Sequence, residues 1–194
     1  MTETDVDADL RVIRRIANGD REALTELYRR HGQEVLQYLR HFTADRGLAE
    51  EMMQDTFLAV WKNASTYRGE ARARAWLFGI ARRRACKHLP RHLPPLADPA
   101  EMESVPAPDP EPEAALLAGI ARDEIRQALC RLAPIHREVL LLTFVHALSY
   151  AETADILGVP LGTVKSRLSN AKRSLRGLLD EESQSDSTPD EVDP

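Results

Sequence analysis

Two small all-helical domains are what this 194-residue sequence predicts. Apolar residues recur at three- and four-residue steps along most of the chain, and almost no segment alternates β-branched residues as a strand would. The stretch 93–113, LPPLADPAEMESVPAPDPEPE, then interrupts that periodicity. Its prolines forbid a helical hydrogen-bond ladder and its acids oppose collapse, so it reads as an extended, flexible acidic linker. The parts it separates, of about 90 and 75 residues, are each long enough to bury a core. Expected domains are therefore 8–92 and 114–179, with a disordered acidic tail at 180–194.

Residues 8–18 read as a short helix with Leu10, Ile13, Ile16 and Ala17 inward, ended by Asn18-Gly19. Asp20 caps a second helix reaching about His41, with Ala23, Leu24, Leu27, Tyr28, Val35, Leu36 and Leu39 at helical spacing. A third, near 47–63, sets Leu48, Met52, Thr56, Phe57 and Val60 on one side and Glu50, Glu51, Gln54 and Asp55 on another. On residue type alone that acidic face is an ordinary solvated surface. Residues 64–75 form a loop re-entering a helix that Pro90 stops. After the linker, a helix near 114–131 offers Leu117, Ile120, Ile125, Leu129 and Leu132, and Pro134 opens the apolar run IHREVLLLTFVHAL at the centre of the second core.

Net charge is −5, which looks wrong for a nucleic-acid binder until it is divided. Glu3, Asp5, Asp7 and Asp9, six acids in the linker and seven in the tail make up 17 of the 31 acids, and those three segments hold no Lys or Arg. Against all 26 Lys and Arg, the rest of the chain holds only 14 acids, so its expected charge is near +12. The basic run is densest at 67–91: Arg68, Arg72, Arg74, Arg82, Arg83, Arg84, Lys87 and Arg91 against Glu70, interleaved with Tyr67, Trp76 and Phe78. Flat rings for unstacked bases and cations for the backbone are what a binder of single or melted strands needs. Phe78 or Leu77 individually would serve the core.

The most specific local signal is SYAETADILGVPLGTVKSRLSNAKRSLR at 149–176. Ser149 and Glu152 are spaced as a capping box opening a helix with Ala151, Ala154 and Leu157 inward. Gly158 ends it, and Pro160 suits the first turn of another. There Val164, Leu168, Ala171 and Leu175 form one buried stripe. The opposite face carries Gly162, Ser166, Ser169 and Arg173, flanked by Thr163, Lys165 and Asn170, with Lys172 and Arg176 extending the charge. A helix-turn-helix whose second helix is small and basic outside reads duplex DNA in the major groove.

In this order, AEEMMQDTFLAVWKN at 49–63, YRGEARARAWLFGIARRRACKH at 67–88, LAPIHREVLLLTFVHALSYAETADILGVP at 132–160 and LGTVKSRLSNAKRSLR at 161–176 resemble the two-domain (sigma-2 and sigma-4) bacterial sigma factors of the extracytoplasmic-function class. The resemblance implies that Glu51, Gln54, Asp55 and Phe57 dock on core RNA polymerase, reversing the solvated reading of that face. It implies that Asn63, Tyr67, Arg68, Arg72, Arg74, Trp76, Arg82, Arg83 and Lys87 take a flipped base and the melted minus-10 strand. Thr163, Lys165, Ser166, Arg167, Ser169, Asn170 and Arg173 would read the duplex minus-35 element. Partners so implied are core polymerase, promoter DNA and an anti-sigma factor. Met52-Met53 replace the smaller branched residues common in the class, and Arg72 with Arg74 make the base-capture region unusually basic.

Other functions fit less well. A conventional helix-turn-helix regulator binding duplex operators without polymerase leaves the aromatic-arginine run and the linker without a purpose. Cys86, His88 and His92 lack zinc spacing, and no phosphate loop or nucleophile motif occurs, so neither metal, other cofactor nor catalysis is expected. Cys86 and Cys130, unpaired by motif, suit buried or half-buried thiols of a reducing cytoplasm. The acidic N-terminus is no signal peptide, and no apolar run approaches a membrane span.

Overall fold

A computed structural model describes residues 3–69, 72–89 and 122–185. All regular structure among them is helical: α1 Glu3–Ala17, α2 Arg21–Arg40, α3 Arg46–Asn63 with a 3-10 turn at Ala64–Thr66, α4 Ala73–His88, α5 Arg122–Arg131, α6 Pro134–Leu140 with a π turn at Leu141–Val145, α7 Tyr150–Leu157 and α8 Leu161–Ser185. The expected linker, Leu117 and Ile120, and residues 186–194 lie outside the described residues, as does the side chain of Ile125.

Helices α1 to α4 pack as one bundle. Asp20 caps α2 by accepting from the N–H groups of Glu22 and Ala23, and Asp45 caps α3 by accepting from Leu48. Val12, Ile13 and Ile16 of α1 meet Leu27, Val35 and Leu39 of α2, and Met52, Thr56 and Val60 of α3 complete that core. Two expected inward positions differ: Ala17 is exposed and Leu10 only half-buried, while Val12, which was not expected to face inward, is buried. Asp9 is a larger departure. Its carboxylate is buried in α1 against the Arg30 guanidinium at 3.1 Å and His31 Nε2 at 2.8 Å, so the N-terminal acids belong to a helix rather than a loose segment. Burial would raise the Asp9 pKa, but His31 and Arg30 together hold it below the usual value.

In the second unit α8 lies across α5, α6 and α7. The π turn continues α6 so that Val139 through Thr143 are all buried and His146 follows them into the interior. Helix α8 passes the expected end at Leu179. Leu179 is buried and Arg131 pairs with Glu181 at 3.0 Å, so the helix runs to Ser185 and takes Asp180 and Glu181 from the expected tail. Cys86 is half-buried as expected, whereas Cys130 is exposed.

The two units touch. Helix α7 packs on α4, and this explains why α4 has no single apolar stripe: Leu77 through Arg82 are six consecutive buried residues, more than a full turn, which only neighbours on several sides can cover.

Candidate nucleic-acid interface

The helix-turn-helix is built by local chemistry. Ser149 Oγ accepts from the Glu152 N–H at 3.2 Å, and Glu152 Oε2 accepts from the Ser149 N–H at 2.8 Å, closing the capping box. Gly158 sits at φ +66°, a left-handed conformation that costs a side-chain-bearing residue about 1–2 kcal/mol. Val159 is buried beyond it, and Pro160 takes the N-cap position, one residue earlier than the first turn; its carbonyl accepts from Val164 at 3.1 Å. In α7, Thr153, Ala154, Ile156 and Leu157 are buried while Ala151 is exposed, because α7 must face both α8 and α4.

Val164, Leu168, Ala171 and Leu175 form the expected stripe on α8. Opposite them Asn170 and Arg173 are exposed, and Thr163, Lys165, Ser166, Arg167 and Ser169 are half-buried. A Cβ added at Gly162 would meet nothing within 4 Å, so no packing inside the chain requires glycine there. Its small size suits close approach by something outside the protein.

A second basic site lies where α3 leads into α4. A cleft of about 310 Å³ is lined by Ala59, Asn63, Thr66, Trp76, Ile80, Arg83 and Arg84. Trp76, the aromatic residue of that lining, packs against Tyr67 with ring centroids 4.9 Å apart. Asn63 Nδ2 donates to the Ala59 carbonyl at 2.7 Å and Thr66 Oγ1 to the Asn63 carbonyl at 2.8 Å, which hold the 3-10 turn at the cleft's edge. Burial, then the adjacent Arg84, lower the Arg83 pKa. Among the described residues no carboxylate lines the cleft, so two crowded guanidinium groups there gain from an incoming anion. Arg68 and Lys87 are exposed nearby in sequence.

The other three arginines of this set are turned to carboxylates. Arg72 Nε lies 3.6 Å from Glu152 of α7, and Arg74 Nε donates to Glu34 at 3.0 Å while its guanidinium sits 5.8 Å from the Phe78 ring. Arg82 is buried: its Nε donates to Glu138 Oε1 at 2.8 Å, and both side chains are only 2% exposed. The Tyr38 hydroxyl donates to the same oxygen at 3.0 Å. Although burial disfavours its charge, Glu138 raises the Arg82 pKa, and burial lifts Tyr38 well above its usual range. His146 packs on Phe78 and Tyr38, with centroids 4.6 and 5.7 Å away, and burial beside Arg74 and His41 lowers its pKa to about 4. It is therefore neutral near pH 7. Tyr38, Glu138 and His146 were not among the expected site residues. A buried contact 56 or 100 residues apart leaves no periodic trace.

On α3 the acidic face needs one change. Glu51 and Gln54 are exposed and Asp55 is half-buried, its carboxylate 3.0 Å from His88 Nε2, which lowers its pKa. Phe57 instead points inward at 5% exposure, edge-on to Tyr28. The exposed apolar side chain is Leu58, at 55%. Glu51, Gln54 and Leu58 at i, i+3 and i+7 form the outward stripe, so helical spacing counted from Glu51 could have found Leu58. Among the described residues no group of three or more His, Cys, Asp or Glu could hold a metal ion, and no helix is long and apolar enough to cross a membrane.

A helix-turn-helix in one unit and an aromatic-basic cleft in the other give this helical protein two candidate DNA-binding surfaces. Residues 27–92 match Sigma-70 region 2, and residues 122–175 match Sigma-70, region 4. The chain is 32% identical to the RNA polymerase sigma factor NccH of Alcaligenes xylosoxydans xylosoxydans, covering 91% of this chain and 97% of that protein. It is also 32% identical to the ECF RNA polymerase sigma factor SigK of Mycobacterium tuberculosis, over 91% and 95% of the two chains. Among solved structures, CnrH in complex with the cytosolic domain of CnrY superposes with a TM-score of 0.66 and 26% identity over 90% of this chain and 98% of that one. The chain belongs to the extracytoplasmic-function sigma factors. It is an alternative sigma factor that directs transcription, and a duplex-only operator regulator is not favoured, because the first half matches a sigma region of its own.

Proposed function

We propose that the chain joins core RNA polymerase through the α3 stripe, takes melted minus-10 DNA at the Asn63–Trp76–Arg83 cleft and reads the minus-35 duplex with α8. The cleft that Trp76, Arg83 and Arg84 line, with no carboxylate among its described residues, carries this reading. Its size is at the lower end for small-ligand pockets and suits a single flipped base stacked beside Trp76. Asn63, Tyr67 and Trp76 would hold that base, and Arg68, Arg83 and Lys87 would neutralise backbone phosphates. Arg72, Arg74 and Arg82 could join them only after exchanging their carboxylate partners. On α8, Lys165, Arg167 and Arg173 would meet phosphates, while Thr163, Ser166, Ser169 and Asn170 would reach base edges.

The factor acts by binding, without catalysis of its own: stacking on the separated strand offsets the base stacking lost on opening. The cytoplasm, where polymerase and promoters are, is its expected site of action. An anti-sigma factor is a natural partner, given that the CnrH structure contains CnrY.

Gln54 and Asp55 are accessible and outside the core, so alanine at both should leave the fold intact and weaken binding to core polymerase about 10-fold, the scale of ordinary interface anchors. A pull-down with core enzyme checks this. Unchanged retention would exclude the α3 stripe as the docking surface.

A further inference from the structure

We propose that the cavity between the end of α2 and the corner of α5 and α6 binds a small phosphorylated molecule. The cavity measures about 600 Å³ and is lined by Gln37, Arg40 and His41 of the first unit and by Leu129, Cys130 and Arg137 of the second. That volume is ordinary for a small-molecule site, and such sites favour the junction of two units. It shares no lining residue with the Asn63–Trp76–Arg83 cleft. Binding there requires neither polymerase nor promoter DNA.

The cavity is positive and uncompensated. Arg15, Arg30, Arg46, Arg74, Arg82 and Arg131 each face a carboxylate. No carboxylate is among the described residues that line this cavity, where Arg40 and Arg137 stand together. Carbonyl groups hold Arg137 in place instead: Nη1 donates to His41 at 3.3 Å, and Nη2 to Cys130 at 2.6 Å and Leu132 at 3.1 Å. These bonds answer the carbonyls where α2 and α5 end, which would otherwise repel an anion. The Arg137 Nε–H is buried without an acceptor. Burial, then the charges of Arg137 and Arg40, lower the His41 pKa, so its ring is mainly neutral near pH 7 and offers one N–H.

A phosphate monoester fits this set of donors. It carries a charge of about −1.5 to −2 near pH 7 and three acceptor oxygens, enough to meet Arg40, Arg137 and the His41 N–H together. A carboxylate brings less charge and fewer oxygens. Leu129 is half-buried and gives the rest of the molecule an apolar wall, with Gln37 exposed beside it as donor and acceptor. Duplex DNA suits the cavity poorly, because Arg137 is half-buried and tied to three carbonyls, out of reach of an outer backbone.

The test uses the full chain without polymerase. Isothermal titration with AMP, ribose 5-phosphate, inorganic phosphate and succinate should show a saturable site that prefers a phosphate ester to the last two by about 10-fold or more. Tighter binding of AMP would mark a flat apolar body and tighter binding of ribose 5-phosphate a sugar, and either supports the site. Arg40 is exposed, so Arg40→Gln should keep the fold and weaken ester binding about 10-fold. Arg29→Gln, on the same helix but not lining the cavity, should leave binding unchanged. Cys130 gives a readout that needs no substitution: its thiol is exposed and lines the cavity, so bound ester should slow its alkylation by iodoacetamide, read by mass spectrometry. The proposal is overturned by no ester binding at millimolar concentration, by inorganic phosphate or succinate binding as tightly as the esters, by indifference to Arg40→Gln, or by unprotected Cys130 at saturating ester.

Discussion

Replacing Tyr67 and Trp76 together by alanine is expected to abolish most promoter opening while sparing attachment to upstream duplex. Trp76 lines the cleft, Tyr67 packs against it with ring centroids 4.9 Å apart, and both are half-buried. A base stacked on an aromatic side chain is worth about 1–3 kcal/mol, so losing both should lower open-complex formation at least about 30-fold. Permanganate reactivity of unpaired thymines and run-off yield would report the loss. Footprinting over the minus-35 region should be retained, because α8 and its buried stripe lie in the other unit. Equal loss at both sites would mean that the substitutions had damaged the fold rather than the cleft.

The largest effect on stability is expected from Phe78→Ala. Phe78 is fully buried on α4, edge-on to Tyr38 at 5.2 Å, against His146 at 4.6 Å and under the Arg74 guanidinium. It thus fills the first unit's core and the seam with the second at once, and truncation should cost about 3–5 kcal/mol. Phe144→Ala is the contrast. That ring is 42% exposed and has Lys172 Nζ 5.4 Å from its centroid, so its loss should cost under about 1 kcal/mol. Urea unfolding of the two variants would separate a core role from a surface one.

Features made by neighbours in sequence are legible in the residues themselves. The Ser149 capping box, the left-handed Gly158 and the Val164–Leu175 stripe depend on contacts within a few residues, and each has the expected geometry. Misplacements follow from longer range. Phe57 is inward as its helical spacing predicts; the resemblance alone put it on the docking face, where Leu58, about 100° further round the helix, is the exposed apolar side chain. Asp9 looks like one of several loose acids because its partners, Arg30 and His31, are on the next helix. Arg82 reads as a DNA contact because nothing local reveals Glu138, 56 residues away in the other unit. A basic residue in a nucleic-acid helix can serve the protein first and the DNA later, and only the fold distinguishes these uses.

Run-off transcription on genomic fragments shows whether this chain places core RNA polymerase at two-part promoters. Core polymerase should start transcription at discrete positions only when this protein is added, and the mapped starts should share an upstream pair of elements near −10 and −35. No protein-dependent starts with active core enzyme, together with tight binding of the protein alone to symmetric duplex sites, would contradict it.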